Sequence, residues 1–152
     1  MRVFRITAAR FAADPLNGIG AAGAGARWNS KGTRVAYTAS SRALAMMELL
    51  VHVGRDNVPA SSMLLSIDIP DGQIAVPDRL PAQWDGLPYR ASVQKTGDRW
   101  VAKGSSLALR VPSAVVPGEF NVLVNPLHAD FGSIAITGQE PLEWDARLFG
   151  KT

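Results

Sequence analysis

The amino-acid sequence predicts an α+β fold in a single compact domain over residues 1–152. The first reason is length, because 152 residues are enough for one domain with a sizeable hydrophobic core. The second is that the segments with strand character are short, and most of them end at proline, glycine or asparagine. The third is that only two helical segments lie among them, whereas a doubly wound parallel sheet alternates strands with helices throughout.

Strand character begins at residues 2–7, which alternate charged with apolar side chains. This pattern does not fit a signal peptide. The longest weakly charged stretch, residues 11–26, contains Asp14, Pro15 and four glycines and makes a poor membrane span. We therefore expect a cytoplasmic protein with no membrane segment. Further strands are predicted over residues 34–39, 63–69, 73–76, 106–111 and 119–124, followed by 133–137 and 143–149 as two strands or one hairpin.

The two predicted helices differ in the strength of their signals. The first begins after a capping serine, Ser40 or Ser41, and ends near Gly54. The second covers residues 89–103, where Gly97 weakens the apolar periodicity. The sequence therefore predicts few helices, placed between groups of strands.

Residues 8–32 show little apolar periodicity and much glycine and alanine, so a loop is predicted there. Gly18 to Gly23 match the pattern GxGxxG, but they follow no strand, and no strand-ending acidic residue stands about 20 residues further on. A Rossmann dinucleotide site is therefore rejected. The glycines instead predict a backbone that passes close to a ligand or to a neighbouring strand.

The first predicted helix contains one carboxylate in apolar surroundings. Its central run, residues 43–51, is apolar on every side except at Glu48, and Leu44 and Val51 share the face of that acid. Such a helix is expected inside the protein, where an unpaired carboxylate is costly and either protonates or meets a cation. One interpretation is a structural ion pair; the other is a charge kept in a dry cleft to stabilise an oxocarbenium-like transition state. The candidate cations for the ion pair are Arg27, Arg34 and Arg110.

Arg27 and Tyr37 each allow two interpretations. Arg27 follows a glycine-rich segment and precedes Trp28, so it is either a surface arginine stacked on an aromatic ring or a phosphate-binding group. Tyr37 is either half-buried packing on a strand or a flat face for a heteroaromatic ligand.

Ser113 and Asn125 each follow a predicted strand. Ser113 could belong to a hydrolase triad with His52 or His128, but no Gly-x-Ser-x-Gly motif surrounds it, which argues against that class. Asn125 is either a turn residue or an amide that binds a ligand or the loop of Ser113.

Composition narrows the chemistry further. The absence of cysteine excludes disulfides, thiolate zinc sites and a cysteine nucleophile. His52 follows Glu48 by four residues, yet two histidines without ordered acidic spacing favour no metal site. The net charge of +3 would suit an anionic ligand, but the cations are scattered, so a nucleic-acid-binding module is the less favoured alternative.

Taken together, five segments resemble the RES-domain toxins of bacterial RES–Xre toxin–antitoxin pairs. That family is named for an arginine, a glutamate and a serine, which fall here on Arg27, Glu48 and Ser113. The likeness covers nearly the whole chain in order, except residues 55–104, where no functional motif is recognised. The matching segments are residues 25–29, 32–39, 45–48, 111–114 and 125–128.

The resemblance implies a fold related to the ADP-ribosyltransferases and NAD as the substrate, with neither a metal nor a prosthetic group. It implies cleavage of the nicotinamide–ribose bond with water or phosphate as acceptor, or, alternatively, transfer of ADP-ribose to a protein. It also implies an Xre-family antitoxin that blocks the active-site cleft. By the same resemblance, Arg27 would hold phosphate or ribose oxygens, Tyr37 would stack on nicotinamide, and Glu48 would bind the ribose and stabilise its cation. The supporting residues would be Ser113, Asn125, Trp28 and Arg34.

Overall fold

The computed structural model describes residues 1–54, 57–59 and 61–149. Within them, seven strands and three helices follow one another along the chain. In order these are β1 (Arg2–Ala8), α1 (Ile19–Ala24), β2 (Ala36–Ala39), α2 (Arg42–Val53), β3 (Ser62–Asp68), β4 (Ile74–Ala75), α3 (Ala91–Lys103), β5 (Ala108–Pro112), β6 (Phe120–Val124) and β7 (Ala135–Pro141).

All seven strands belong to one mixed sheet with the order β4-β5-β6-β2-β1-β3-β7. The neighbours pair antiparallel except β4 and β5, which are parallel. One such sheet with few helices confirms the predicted α+β class. Among the described residues, no helix is long and apolar enough to cross a membrane.

The prediction was wrong at two places. Residues 143–149 form no strand: pairing with β3 ends where the Leu142 amide donates to Ser62, and the chain then turns into a short 3-10 segment, Ala146–Phe149. The rings of Trp144 and Phe149 pack edge-on, with centroids 6.0 Å apart. These two aromatic residues therefore contact each other although the segment is not a strand. The predicted loop 8–32 also contains the short helix α1, which lacks apolar periodicity because none of its residues is buried.

Gly18, just before α1, confirms the expected close approach of the glycine-rich backbone to its neighbours. Its φ is +69°, and a Cβ there would lie 2.7 Å from the Val35 amide nitrogen, next to β2. Only glycine fits this combination of left-handed backbone and contact. The segment before α1 is therefore held against the entry to β2.

α2 and α3 pack on the same face of the sheet. Cross-strand partners share a face, and the pairs Phe4–Ala39, Ala39–Asn121 and Asn121–Val111 extend across β1, β2, β6 and β5. α2 covers the β1 and β2 end of this row, and α3 covers the β5 end. The strip of sheet between the two helices, here called the cleft floor, contains the half-buried side chains of Tyr37 and Asn121.

α2 is only partly buried, which corrects the expectation of a helix enclosed on all sides. Leu44 and Ala45 pack against the sheet, whereas Met47 and Val51 are 43% and 61% exposed. Ser41 caps the helix by accepting the Leu44 amide at 3.0 Å, as predicted. α2 is therefore a wall of the cleft, and its apolar outer side faces away from the core.

Candidate active site

Glu48 projects from α2 toward the sheet, where neutral donors meet it. Asn121 Nδ2 donates to Glu48 Oε1 at 2.6 Å, and Ser113 Oγ donates to the same oxygen at 2.9 Å. No salt bridge among the described residues includes Glu48, so the ion-pair interpretation is not observed. Within that part of the chain Oε2 accepts no hydrogen bond, and one oxygen of the carboxylate remains available to a ligand.

Ser113 is a fixed donor and not a free nucleophile. It is buried in the turn after β5, and its Oγ accepts the amides of Val115 and Val116, both at 3.0 Å. A hydroxyl has two acceptor lone pairs and one proton. Because both lone pairs are engaged, the proton points to Glu48. The arrangement argues against the hydrolase triad, and it makes Ser113 a support for the carboxylate.

Arg27 lies in the loop between α1 and β2, with one end of its guanidinium anchored. Nη1 donates to the carbonyls of Trp84 and Gly86 at 2.8 and 2.9 Å, and the group lies over the Tyr89 ring at 5.0 Å. Within the described residues, Nε and Nη2 have no hydrogen-bond partner. These two groups form the fork that binds a phosphate or carboxylate in bidentate fashion.

Tyr37 stands on β2 with its hydroxyl committed to the protein. The phenol donates to Asn29 Oδ1 at 2.8 Å and accepts the Trp28 amide at 3.1 Å. Burial raises the pKa of the Tyr37 phenol, and the hydrogen bond from Trp28 offsets part of that rise. The hydroxyl is therefore neutral, and its hydrogen bonds are made with the protein. A ligand could contact only the ring.

Trp28 and Arg34 lie near the cleft without pointing into the Glu48 group. Trp28 is 2% exposed and stacks on Trp84, with ring centroids 6.2 Å apart and planes inclined by 23°. Arg34 is exposed. Arg110 faces the opposite side of the sheet, where it lies over Phe120 at 4.8 Å. None of the three forms a hydrogen bond with Glu48 among the described residues.

Asn125 lies at the other end of β6 from Asn121. Its Nδ2 donates to the Val101 carbonyl at 3.3 Å, and its Oδ1 accepts the Leu127 amide at 3.0 Å. The two asparagines are four positions apart, which is about 13 Å along an extended chain. The structure thus brings Asn121, not Asn125, to Glu48. Asn121 was missed in the sequence, although it shares the strand face of the buried Leu123, where a polar residue needs a partner.

α3 holds the loop that contains Arg27. A Cβ on Gly97 would lie 1.7 Å from the Trp28 carbonyl oxygen, so only glycine permits this contact. Gln94 Nε2 donates to the Ala26 carbonyl at 3.0 Å, and Asp98 Oδ1 accepts the Ser30 amide at 2.9 Å. The glycine that weakened the helix prediction is therefore the position where α3 meets the loop.

The site thus has two parts on one face of the sheet. At one end, Ser113 and Asn121 fix one oxygen of the Glu48 carboxylate; at the other, the Arg27 guanidinium lies beside aromatic rings. Among the described residues, neither Glu48 Oε2 nor the Nε and Nη2 groups of Arg27 have a hydrogen-bond partner. Such an arrangement suits a ligand with a cationic centre near Glu48 and an anionic group near Arg27. No cluster of three or more potential metal ligands occurs in the described part of the chain.

Comparison with known proteins identifies a family. The RES domain model matches residues 2–145. The "Prs ADP-ribosylating toxin" of Sphingobium sp. is 36% identical, with 93% of this chain and 91% of the relative covered. "Toxin Res" of Photorhabdus laumondii is 39% identical, with 86% and 85% covered. "Toxin Res" of Yersinia enterocolitica is 38% identical, with 97% and 99% covered.

A solved structure shares the fold. A chain in the crystal structure of the M. tuberculosis MbcT–MbcA toxin–antitoxin complex superposes with a TM-score of 0.70, at 23% identity, over 93% of this chain and 83% of that chain. At this identity the likeness concerns the fold alone. The match to the domain model over residues 2–145, together with relatives at 36–39% identity over most of their length, shows that the chain belongs to the RES domain family.

Proposed function

We propose that this protein is the toxin of a toxin–antitoxin pair and that it destroys NAD by cleaving the bond between nicotinamide and ribose. The observation that supports it most is the half-occupied carboxylate of Glu48, with both hydrogen bonds on Oε1 and none on Oε2 among the described residues. The relatives named as toxins support the biological role. A cytoplasmic location, where NAD is available, is part of the proposal.

The proposed reaction uses the charge of Glu48. As the C–N bond breaks, its electron pair goes to the pyridinium nitrogen, nicotinamide leaves as a neutral molecule, and positive charge develops on the ribose. Glu48 Oε2 accepts a hydrogen bond from a ribose hydroxyl, and the negative charge of the carboxylate stabilises that cation. Water or phosphate then adds to the anomeric carbon and releases a proton to solvent. The leaving group is already cationic, so this route needs no metal.

The other proposed contacts place the rest of NAD. The free Nε and Nη2 fork of Arg27 binds the pyrophosphate, and the Tyr37 ring stacks on the nicotinamide side. Ser113 holds the carboxylate in position. Three further residues support the groups that hold NAD and do not touch the reacting atoms: Trp28, Arg34 and Asn125.

A second candidate is transfer of ADP-ribose to a protein by the same site. The name of the Sphingobium relative, at 36% identity, favours this alternative. Both reactions begin with the same bond cleavage and differ only in the acceptor. Glu48 and Arg27 have the same roles in either case.

An antitoxin partner is also part of the proposal. We expect an Xre-family protein that covers the cleft, consistent with the toxin–antitoxin complex that shares this fold. The exposed apolar residues Met47 and Val51 lie on α2 within one turn of Glu48. A partner bound there would cover the cleft entrance next to the carboxylate.

Product analysis tests the proposal. Purified protein, freed of any antitoxin, is incubated with NAD with and without phosphate, and the products are separated by chromatography. Free ADP-ribose, or its phosphate ester, together with nicotinamide supports NAD cleavage. Label retained on a protein supports the transferase. Intact NAD and unlabelled protein, with wild type as harmless to cells as Glu48→Gln, would refute both.

A further inference from the structure

We infer that residues 84–89, here called the strap, form a subsite for the adenosine 5′-phosphate half of a dinucleotide, with the Tyr89 ring as the stacking face for its base. This inference rests on the proposed function and assigns part of the site to a region of the chain without a recognised motif. Three observations support it: the strap is anchored to the Arg27 loop, the Tyr89 hydroxyl has no hydrogen-bond partner among the described residues, and a chain of contacts links Glu48 to Tyr89.

The strap is fixed to the Arg27 loop at three points. Arg27 Nη1 donates to the carbonyls of Trp84 and Gly86 at 2.8 and 2.9 Å. Trp84 stacks on the buried Trp28 with ring centroids 6.2 Å apart. The Arg27 guanidinium also lies 5.0 Å from the centre of the Tyr89 ring. These contacts keep the strap beside the guanidinium that would bind phosphate, so it forms a wall of the same site.

Tyr89 is not used by the protein core. It is half-buried but belongs to none of the hydrophobic clusters of the described residues, unlike Tyr37 and Trp84. Within that part of the chain its hydroxyl has no hydrogen-bond partner, and the Arg27 guanidinium lies over its ring, 5.0 Å from the centroid. A half-buried aromatic ring with a cation against it is an arrangement that can stack on a nucleotide base.

A chain of contacts leads from Glu48 by way of Tyr37 and Arg27 to Tyr89. Glu48 binds Asn121, which pairs with Ala39; Tyr37 is two residues away on β2, about 7 Å along the strand. The Tyr37 hydroxyl accepts the amide of Trp28, the neighbour of Arg27, and the Arg27 guanidinium lies 5.0 Å from the centre of the Tyr89 ring. With the nicotinamide ribose at Glu48 and the pyrophosphate at Arg27, the adenosine meets the strap.

Two substrates and two variants test the inference. Nicotinamide mononucleotide retains the scissile bond but lacks the adenosine 5′-phosphate half. For Tyr89→Ala, we expect kcat/KM for NAD to fall about 5- to 100-fold, mainly through KM, because one base-stacking contact is lost. The same variant should cleave nicotinamide mononucleotide as the wild type does. Tyr89→Phe, which keeps the ring, should stay within about twofold of wild type on both substrates.

Competition with AMP gives a second readout that does not require cleavage of the smaller substrate. AMP should inhibit the wild type and Tyr89→Phe competitively with NAD, and Tyr89→Ala should bind AMP more weakly by a similar factor. Equal losses on NAD and nicotinamide mononucleotide, or unchanged AMP binding in Tyr89→Ala, would overturn the inference. If the wild type leaves NAD intact, the proposed function fails instead, and AMP binding measured by calorimetry on the same proteins still decides the subsite.

Discussion

Asn121 Nδ2 donates to Glu48 Oε1 at 2.6 Å, and it does so from a strand that also forms the floor of the cleft. Ser113 donates to the same oxygen at 2.9 Å from the turn after the neighbouring strand β5. The strand β6 and the turn after β5 therefore determine the direction of the Glu48 side chain, which belongs to the helix α2. Oε2 accepts no hydrogen bond from the described residues, so under the proposed function it is the oxygen that meets the ligand.

Removing the Asn121 donor should lower both stability and catalysis. A hydrogen bond to a charged group contributes about 1.5–3 kcal/mol to stability. Because this bond also sets the direction of the carboxylate, we expect Asn121→Ala to lower kcat about 10- to 100-fold. Steady-state kinetics with NAD give the measurement. Asn57→Ala, at an exposed asparagine beyond the end of α2, is the matched control and should behave as wild type. An unchanged kcat in Asn121→Ala would mean that Ser113 alone orients Glu48.

Glu48→Gln should fold normally and lose activity. The Gln side-chain oxygen can accept the same two hydrogen bonds, so no buried charge is left unpaired and the melting temperature should stay close to that of wild type. The negative charge is lost, however, and removal of one such electrostatic group costs about 100- to 1,000-fold in kcat. Circular dichroism and NAD cleavage are measured on the same sample. A variant that unfolds would restore a structural role for the carboxylate.

Gly97→Ala should destabilise the contact between α3 and the Arg27 loop. The added methyl group would sit 1.7 Å from the Trp28 carbonyl oxygen, so the backbone must move. Overpacking of this kind costs about 1–3 kcal/mol, and each kcal/mol lowers the melting temperature of a chain this long by about 2–4 °C. Gly23→Ala, in α1 with nothing within 4 Å of its Cβ, is the control and should be neutral or slightly stabilising. Equal melting temperatures for both variants would contradict this account.

The sequence predicted the elements whose pattern is local. α2 has a serine cap and a glycine end, and β1 alternates along its length, so both were placed nearly to the residue. α1 was missed because its side chains are not buried, which removes the periodicity that reveals a helix. The contact of Arg27 with Trp84 and Gly86 joins residues 57 and 59 positions apart, and no local pattern can show it.

In the candidate site, too, the sequence showed what is local and missed what depends on the fold. Glu48 was conspicuous because an acid interrupts an apolar helix. Its partner was sought among arginines, since a charge in an apolar setting usually meets a countercharge. The protein instead uses two neutral donors from β6 and the turn after β5, a solution that depends on strand order and register. Asn121 could be recognised as that partner only once β6 was known to lie beside β2.

Alkaline pH should destabilise the protein through Tyr37. Burial raises the pKa of its phenol above the ordinary value of about 10, so the neutral form is favoured in the folded state. The resulting stability is fully present below pH 10 and is lost as the pH rises from there toward the folded pKa, because the unfolded chain ionises first. Urea unfolding at pH 8 and pH 11 measures the loss. Tyr37→Phe should be less stable at pH 8, having lost the bonds to Asn29 and Trp28, but should lose less between the two pH values. An equal alkaline loss in wild type and variant would show that other groups control the transition.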